Sequence, residues 1–147
     1  MTDTDRMVAW LRETLDAAQR IAHAACWDEQ SAAWTARPPR ASYERYTVVD
    51  YLDDGVVAVT PENADDDGVG QHIALNDPAA VLRRIAADRK ILDWHTTRHT
   101  VVDGDYCCDC DGPCTHKGEA RCEVCGENGC YTLHFLAEGY GWKDGQQ

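Results

Sequence analysis

The stretch DPAAVLRRIAADRKILDWHTT, residues 77–97, predicts the clearest helix of the chain. Asp77 can accept hydrogen bonds from the first free N–H groups of a helix, and Pro78 suits the first helical position, where no N–H is needed. The apolar face and its C-terminal end are formed by Val81, Ile85, Leu92 and His95. The opposite face carries Arg83, Arg84, Arg89 and Lys90. We interpret this face as a solvated helix surface, although it could also pair with acidic residues.

Residues 5–26, at the start of the chain, repeat apolar side chains at spacings of three and four and predict an amphipathic helix. The repeat consists of Val8, Leu11, Leu15, Ala18, Ala22 and Ala25. Cys26, the one cysteine outside the later cluster, would lie on the apolar side of this helix as an inert thiol.

The middle of the chain predicts a small antiparallel sheet. Residues 45–52 are β-branched and aromatic, residues 53–55 supply an Asp-Asp-Gly turn, and Val56 to Thr60 return as a second strand. A further short strand is expected around Trp34, and residues 61–70 are expected to form a polar loop. The predicted fold class is therefore α+β, with a Cys-rich segment and a short helix at the C-terminal end.

Composition narrows the class of protein. The chain has 147 residues, 44% of them hydrophobic, which fits one domain with residues 1–99 as an α+β core and residues 100–137 as a Cys-rich segment. A formal net charge of −12 repels phosphates, so nucleic-acid binding is disfavoured. The acidic start is not a signal peptide, and no long apolar run predicts a membrane span, so we expect a cytoplasmic protein.

Seven of the eight cysteines lie between Cys107 and Cys130. In a reducing compartment such clustering is more typical of metal ligands than of disulfides. Two residues between Cys122 and Cys125 let both sulfurs reach one tetrahedral ion, and Cys130 can supply a third thiolate. His95 is the first choice for the fourth ligand, with His99 as the alternative, so the segment predicts at least one Zn²⁺ ion.

A second set of donors precedes this site in the chain. It consists of Cys107, Cys110, Cys114 and His116, and the role of the neighbouring Cys108 stays open. The set could hold a second zinc ion, join a binuclear cluster, or remain as spare thiols beside a single ion.

The predicted metal is structural, because the patterns of catalytic zinc are missing. HExxH is absent, and Glu119 follows His116 at three residues instead of the two found in zinc deaminases. A calcium-like loop begins at Asn63, but its twelfth position is Ala74, where a bidentate Glu is needed.

Residues 71–95, together with the motifs CxxC and Cys-x-Thr-Leu near the C-terminus, resemble a family of small uncharacterised actinobacterial and actinophage proteins, a domain of unknown function. Its helix pattern HIAxxDPAxVLxxIxAxRxIL matches this block, and its C-terminal motif matches Cys122, Cys125 and Cys130 to Leu133. The resemblance implies that His95 joins these three cysteines in one site, with the Cys107 to His116 set as additional material. It implies an accessory protein, often on mobile elements, with no activity to carry over.

The leading functional hypothesis is a non-enzymatic, zinc-stabilised binding or regulatory module with an unknown protein partner. The alternative is an acidic inhibitor or DNA mimic from a mobile element, which acts on a host protein. It rests on the net charge and on residues 46–82, which contain eight carboxylates and no Lys or Arg. A metal-dependent hydrolase is the third hypothesis, and a nucleic-acid-binding zinc module, which would use the basic face of residues 83–90, is the fourth.

Overall fold

The computed structural model describes residues 3–96, 99–101, 118–120 and 131–143. It confirms the α+β class, with the N-terminal helix, the small antiparallel sheet, the long helix after it and the short C-terminal helix in the predicted order. The helices are α1 (Asp3–Ala24), α2 (Asp66–Leu75), α3 (Pro78–Thr96) and α4 (Tyr131–Gly139), with one 3-10 turn at Gln30–Ala32. The strands are β1 (Thr35–Arg37), β2 (Thr47–Val49), β3 (Gly55–Ala58), β4 (His99–Val101) and β5 (Gly118–Ala120).

The chain divides into two compact units. We call residues 16–86 the sheet unit and residues 1–15 with 87–147 the helical unit. Division into a core over 1–99 and a Cys-rich segment over 100–137 stays a prediction. None of the helices in the described part of the chain combines the length and apolar character that a bilayer crossing demands.

The sheet unit contains an antiparallel sheet in the order β1-β2-β3. Val48 pairs with Ala36 on one side and with Val57 on the other. The turn from β2 to β3 is organised by Asp50, whose Oδ1 accepts the backbone N–H groups of Leu52 at 2.9 Å and Asp54 at 3.1 Å. Asp53 takes the left-handed conformation, with φ of 64°, so the Asp-Asp-Gly turn forms with an aspartate at the position of positive φ.

The core of the sheet unit is built on three buried residues, Tyr46, Val48 and Val59. Side chains of α2 pack on this core, among them Val69 and Ile73. The prediction of a polar loop over residues 61–70 is therefore wrong from residue 66 onward, where α2 begins. The signal that it missed is Asp65, whose side chain accepts the backbone N–H of Gly68 at 2.6 Å and caps the helix.

The N-terminus of α3 forms as predicted and is also joined to β1. Asp77, which is almost fully buried, accepts the backbone N–H of Ala80 at 2.6 Å through Oδ1. Its Oδ2 accepts the backbone N–H of Trp34, the residue before β1, at 3.1 Å. One carboxylate therefore accepts a hydrogen bond from the first turn of α3 and another from the backbone just before β1.

Replacing Asp77 with alanine is expected to cost about 2 kcal/mol, because it removes a helix cap worth about 1 kcal/mol and leaves the partly buried Trp34 N–H without its acceptor. Urea unfolding measures this loss. Asp77→Asn keeps one acceptor oxygen and should lose less than Asp77→Ala. A loss below about 0.5 kcal/mol in Asp77→Ala would show that the two hydrogen bonds contribute little to stability.

Among the described residues of the helical unit, the buried apolar side chains come from α1, α3 and α4. They are Met7, Leu11 and Leu15 of α1, Leu92 of α3, and Leu133 and Ala137 of α4. Met7, not the predicted Val8, is the most deeply buried residue near the start of α1, and Val8 is half-buried.

Side-chain contacts between described residues join the helices of this unit. Arg12 donates to Thr96 Oγ1 at 3.5 Å, and the Tyr140 hydroxyl, just after α4, donates to Asp88 on α3. The rings of Trp10 and Trp142 lie 5.2 Å apart with their planes at 57°. The chain after α4 is thus tied to both α1 and α3.

Candidate functional site

The predicted zinc ligands fall into two groups. His95 is half-buried in the last turn of α3, and His99 is the first residue of β4. The remaining candidates lie outside the described residues: Cys107, Cys108, Cys110, Cys114, His116, Cys122, Cys125 and Cys130. Within the described residues, no three His, Cys, Asp or Glu side chains come together as a metal site, so the ligand set stays a prediction.

Strands β4 and β5 form a two-stranded antiparallel ribbon next to these candidates in the chain. His99 lies opposite Ala120, Thr100 opposite Glu119, and Val101 opposite Gly118. One end of the ribbon therefore joins His99, three residues after the end of α3, to Ala120, two residues before Cys122.

Cys26 serves as a reference thiol outside the cluster. Helix α1 ends at Ala24, two residues earlier than predicted, so Cys26 lies beyond the helix instead of on its apolar side. Its side chain is half-buried and free, and the thiol donates to the carbonyl oxygen of Ala22 at 3.1 Å. These contacts make it a suitable control for substitutions in the cluster.

The two charged surfaces predicted from the sequence are exposed. On the basic face of α3, Arg83, Arg84 and Lys90 are exposed, and Arg84 donates to Asn76 Oδ1 at 3.0 Å. The exposed carboxylates of the acidic stretch are Asp53, Asp54, Glu62, Asp65, Asp66 and Asp67. Several already have partners, since Asp53 pairs with Arg37 and Asp67 accepts the Tyr46 hydroxyl at 2.6 Å.

The sequence did not reveal an aromatic pair in the sheet unit. Trp27 and Tyr51 are stacked, with ring centroids 5.8 Å apart and an angle of 27° between the planes. Trp27 Nε1 donates to Asp50 Oδ2 at 3.2 Å, and the Tyr51 hydroxyl donates to Asp28 Oδ2 at 2.9 Å. Each aromatic residue has an aspartate next to it in sequence, in Trp27-Asp28 and Asp50-Tyr51, and this was the available signal.

The hydrogen bond between Tyr51 and Asp28 moves the pKa values of the two groups in opposite directions. Burial acts to raise the pKa of Asp28, but hydrogen bonds from the Ser31 backbone and the Tyr51 hydroxyl outweigh it and place the pKa below its ordinary value. Burial, the hydrogen bond to Asp28 and the nearby carboxylates raise the pKa of Tyr51. The tyrosine therefore stays neutral while the Asp28 carboxylate stays negative.

The model of a family of unknown function, DUF6221, matches residues 4–144. This chain belongs to DUF6221. Membership confirms the predicted relationship to a family without an assigned function, while the actinobacterial or phage origin and the zinc motif stay predictions. No curated protein and no solved structure gives a significant match to this DUF6221 chain.

Proposed function

We propose that this DUF6221 chain is a non-enzymatic binding module stabilised by a zinc ion, with His95, Cys122, Cys125 and Cys130 as ligands. The observation that carries the proposal is the pairing of His99 with Ala120. Only two residues of chain, a reach of at most about 7 Å, lead from Ala120 to Cys122. The His95 end of α3 and the first of the three cysteines are therefore tethered to the same end of the ribbon.

The third cysteine has an equally short tether. Cys130 is bonded directly to Tyr131, the first residue of α4, whose Leu133 and Ala137 are buried in the helical unit. A zinc ion bound by Cys130 and His95 would join the start of α4 to the end of α3. Three thiolates and one imidazole complete a tetrahedral shell without a position for water, which suits a structural site.

The second set of donors lies in a different segment of the chain from Cys122, Cys125 and Cys130. Cys107, Cys110, Cys114 and His116 all lie within residues 102–117, which leave the ribbon after Val101 and return before Gly118. This arrangement supports a separate second zinc site over a cluster shared with Cys122, because the two segments start from opposite ends of the ribbon.

The test is the zinc content per chain of protein purified without chelators, measured by elemental analysis. We expect at least one zinc ion, with one equivalent lost in Cys125→Ser and none lost in Cys26→Ser. A second equivalent that disappears in Cys110→Ser would identify the second site. Wild-type protein without zinc would overturn the proposal.

A second candidate function is the capture of a basic host protein by an acidic cytosolic inhibitor from a mobile element. Its support is the run of exposed carboxylates between Asp53 and Asp67 together with the net charge of −12. Electrostatic capture predicts that binding weakens as salt rises, since the Debye length falls from about 10 Å at 0.1 M to about 3 Å at 1 M. Binding that ignores salt would count against this function.

A further inference from the structure

The stacked pair Trp27–Tyr51 exposes an unusual amount of aromatic surface. Trp27 is 64% exposed and Tyr51 is 46% exposed, and the next residue, Leu52, is 53% exposed. Aromatic rings of this size normally contribute to a core, and adjacent exposed aromatic residues are typical of binding surfaces.

The pair is fixed in place before any partner binds. Asp50 is almost fully buried and holds the indole N–H through Oδ2, while its Oδ1 is held by the backbone of the β2–β3 turn. Asp28, which accepts the Tyr51 hydroxyl, is held in turn by the backbone N–H of Ser31 at 2.6 Å. A binding surface that is already ordered loses little side-chain entropy when a ligand arrives.

The surroundings of the pair select the charge of a ligand. The carboxylates of Asp28, Asp50 and Asp54 act together on Tyr51. The adjoining cation Arg37 is paired with Asp53. An anion is therefore repelled, whereas a cation gains from both the carboxylates and the faces of the aromatic rings.

We propose that the Trp27–Tyr51 pair is the docking point for an arginine side chain of a basic protein partner. A guanidinium ion is planar, stacks on an indole face and keeps its edge free to donate hydrogen bonds to carboxylates. The inference rests on the proposed role as a binding module, but it does not depend on the zinc site.

A groove continues from the pair and gives room for the partner's main chain. Its volume is about 630 Å³, and its lining residues are 35–40, Val49, Asp50, Tyr51 and Asp53. Because Asp50 and Tyr51 belong to both features, an arginine on the aromatic pair would place its neighbouring residues beside this groove.

The experiment is a titration of ¹⁵N-labelled full-length protein with a blocked peptide of four arginines spaced by glycine, followed by NMR. We expect the indole N–H signal of Trp27 to shift on binding. Trp27→Ala should weaken the affinity about tenfold, which corresponds to about 1.4 kcal/mol, within the range of a cation–π contact with its charged neighbours. Trp27→Phe keeps an aromatic face and should stay within about threefold of the wild type.

Trp94→Ala is the matched control, because Trp94 is 61% exposed and lies on α3. It should bind the peptide with wild-type affinity. The inference is overturned if Trp27→Ala binds the peptide as tightly as the wild type. It is also overturned if Trp27→Ala and Trp94→Ala lose the same affinity, because the peptide would then be bound through the net charge of the protein alone.

Zinc measured on the same samples separates this inference from the proposed function. Trp27-dependent binding in a chain without zinc would overturn the zinc module and keep the arginine site. A zinc-loaded chain whose peptide affinity does not depend on Trp27 would overturn the arginine site and keep the zinc module.

Discussion

Gly70→Ala is expected to lower the stability of the sheet unit by about 2 kcal/mol. A Cβ atom at this position would lie 2.2 Å from Cε1 of Tyr46 and 2.9 Å from its Cδ1 and Cζ. The Tyr46 ring cannot turn aside easily, because it is buried against Val48 and Val59 and its hydroxyl is bonded to Asp67. Overpacking costs about 1–3 kcal/mol, and an approach of 2.2 Å places Gly70→Ala at the upper end of this range, near about 3 kcal/mol. The better helix propensity of alanine offsets about 1 kcal/mol, which leaves a loss of about 2 kcal/mol.

A double-mutant cycle tests whether the Tyr46 ring causes the loss of stability in Gly70→Ala. Thermal unfolding of Gly70→Ala should show a midpoint about 6 °C lower, at roughly 3 °C per kcal/mol for a chain of this size. Tyr46→Leu removes the clashing atoms, so Gly70→Ala should cost much less in that background. Strict additivity of the two substitutions would contradict the packing argument.

Gly55→Ala is the matched control for this cycle. Gly55 lies in β3 of the same unit, and no heavy atom lies within 4 Å of a Cβ built there. Its replacement by alanine should change the midpoint by less than about 2 °C, because surface substitutions usually stay within about 0.5 kcal/mol.

Removal of the proposed zinc ion is expected to lower the thermal midpoint by about 9 °C. Structural zinc sites contribute binding free energy directly to folding, and a loss of about 3 kcal/mol is enough for this shift. The helix at risk is α4, because Cys130 is bonded to its first residue and its Leu133 is only 2% exposed.

The aromatic contact between Trp10 and Trp142 provides a spectroscopic signal that reports on the position of α4. The two rings lie 5.2 Å apart, and Trp142 follows α4 in the chain. Release of α4 should reduce the near-ultraviolet circular dichroism of the pair when a chelator is added, and excess zinc should restore it.

Two variants sharpen the zinc experiment. Cys125→Ser should start with the low midpoint and respond little to the chelator. Cys26→Ser should respond like the wild type, because its thiol contacts only the end of α1 within the described residues. A midpoint unchanged after the metal has been removed and quantified would exclude a stabilising role for zinc.

Helices α1 and α3 and the β2–β3 hairpin were predictable because their signals are local. Asp77 before Pro78 marks the start of α3, the apolar repeat of residues 5–26 marks α1, and the Asp-Gly turn marks the β2–β3 hairpin. Each signal acts within a few residues of the chain, so no knowledge of the tertiary structure was needed to interpret it.

The start of α2 was missed because its local signals conflict. Residues 61–70 carry four acids and two glycines, which is typical of a loop. The helix forms because Asp65 caps it and because the partly buried Val69 and Ile73 pack against the core of the sheet unit. Only the tertiary structure supplies that burial, and Gly70 is needed where α2 approaches the ring of Tyr46.

By itself, the sequence determined the α+β class, the order of α1, the β2–β3 hairpin, α3 and α4, and the ligand types available for a metal, because residue spacing and side-chain chemistry can be read directly from the chain. Tertiary structure alone decided that His99 pairs with Ala120. It also decided that Trp27 and Tyr51 meet at an acidic surface. Both are contacts between residues more than twenty positions apart, and no local pattern specifies which distant partners meet.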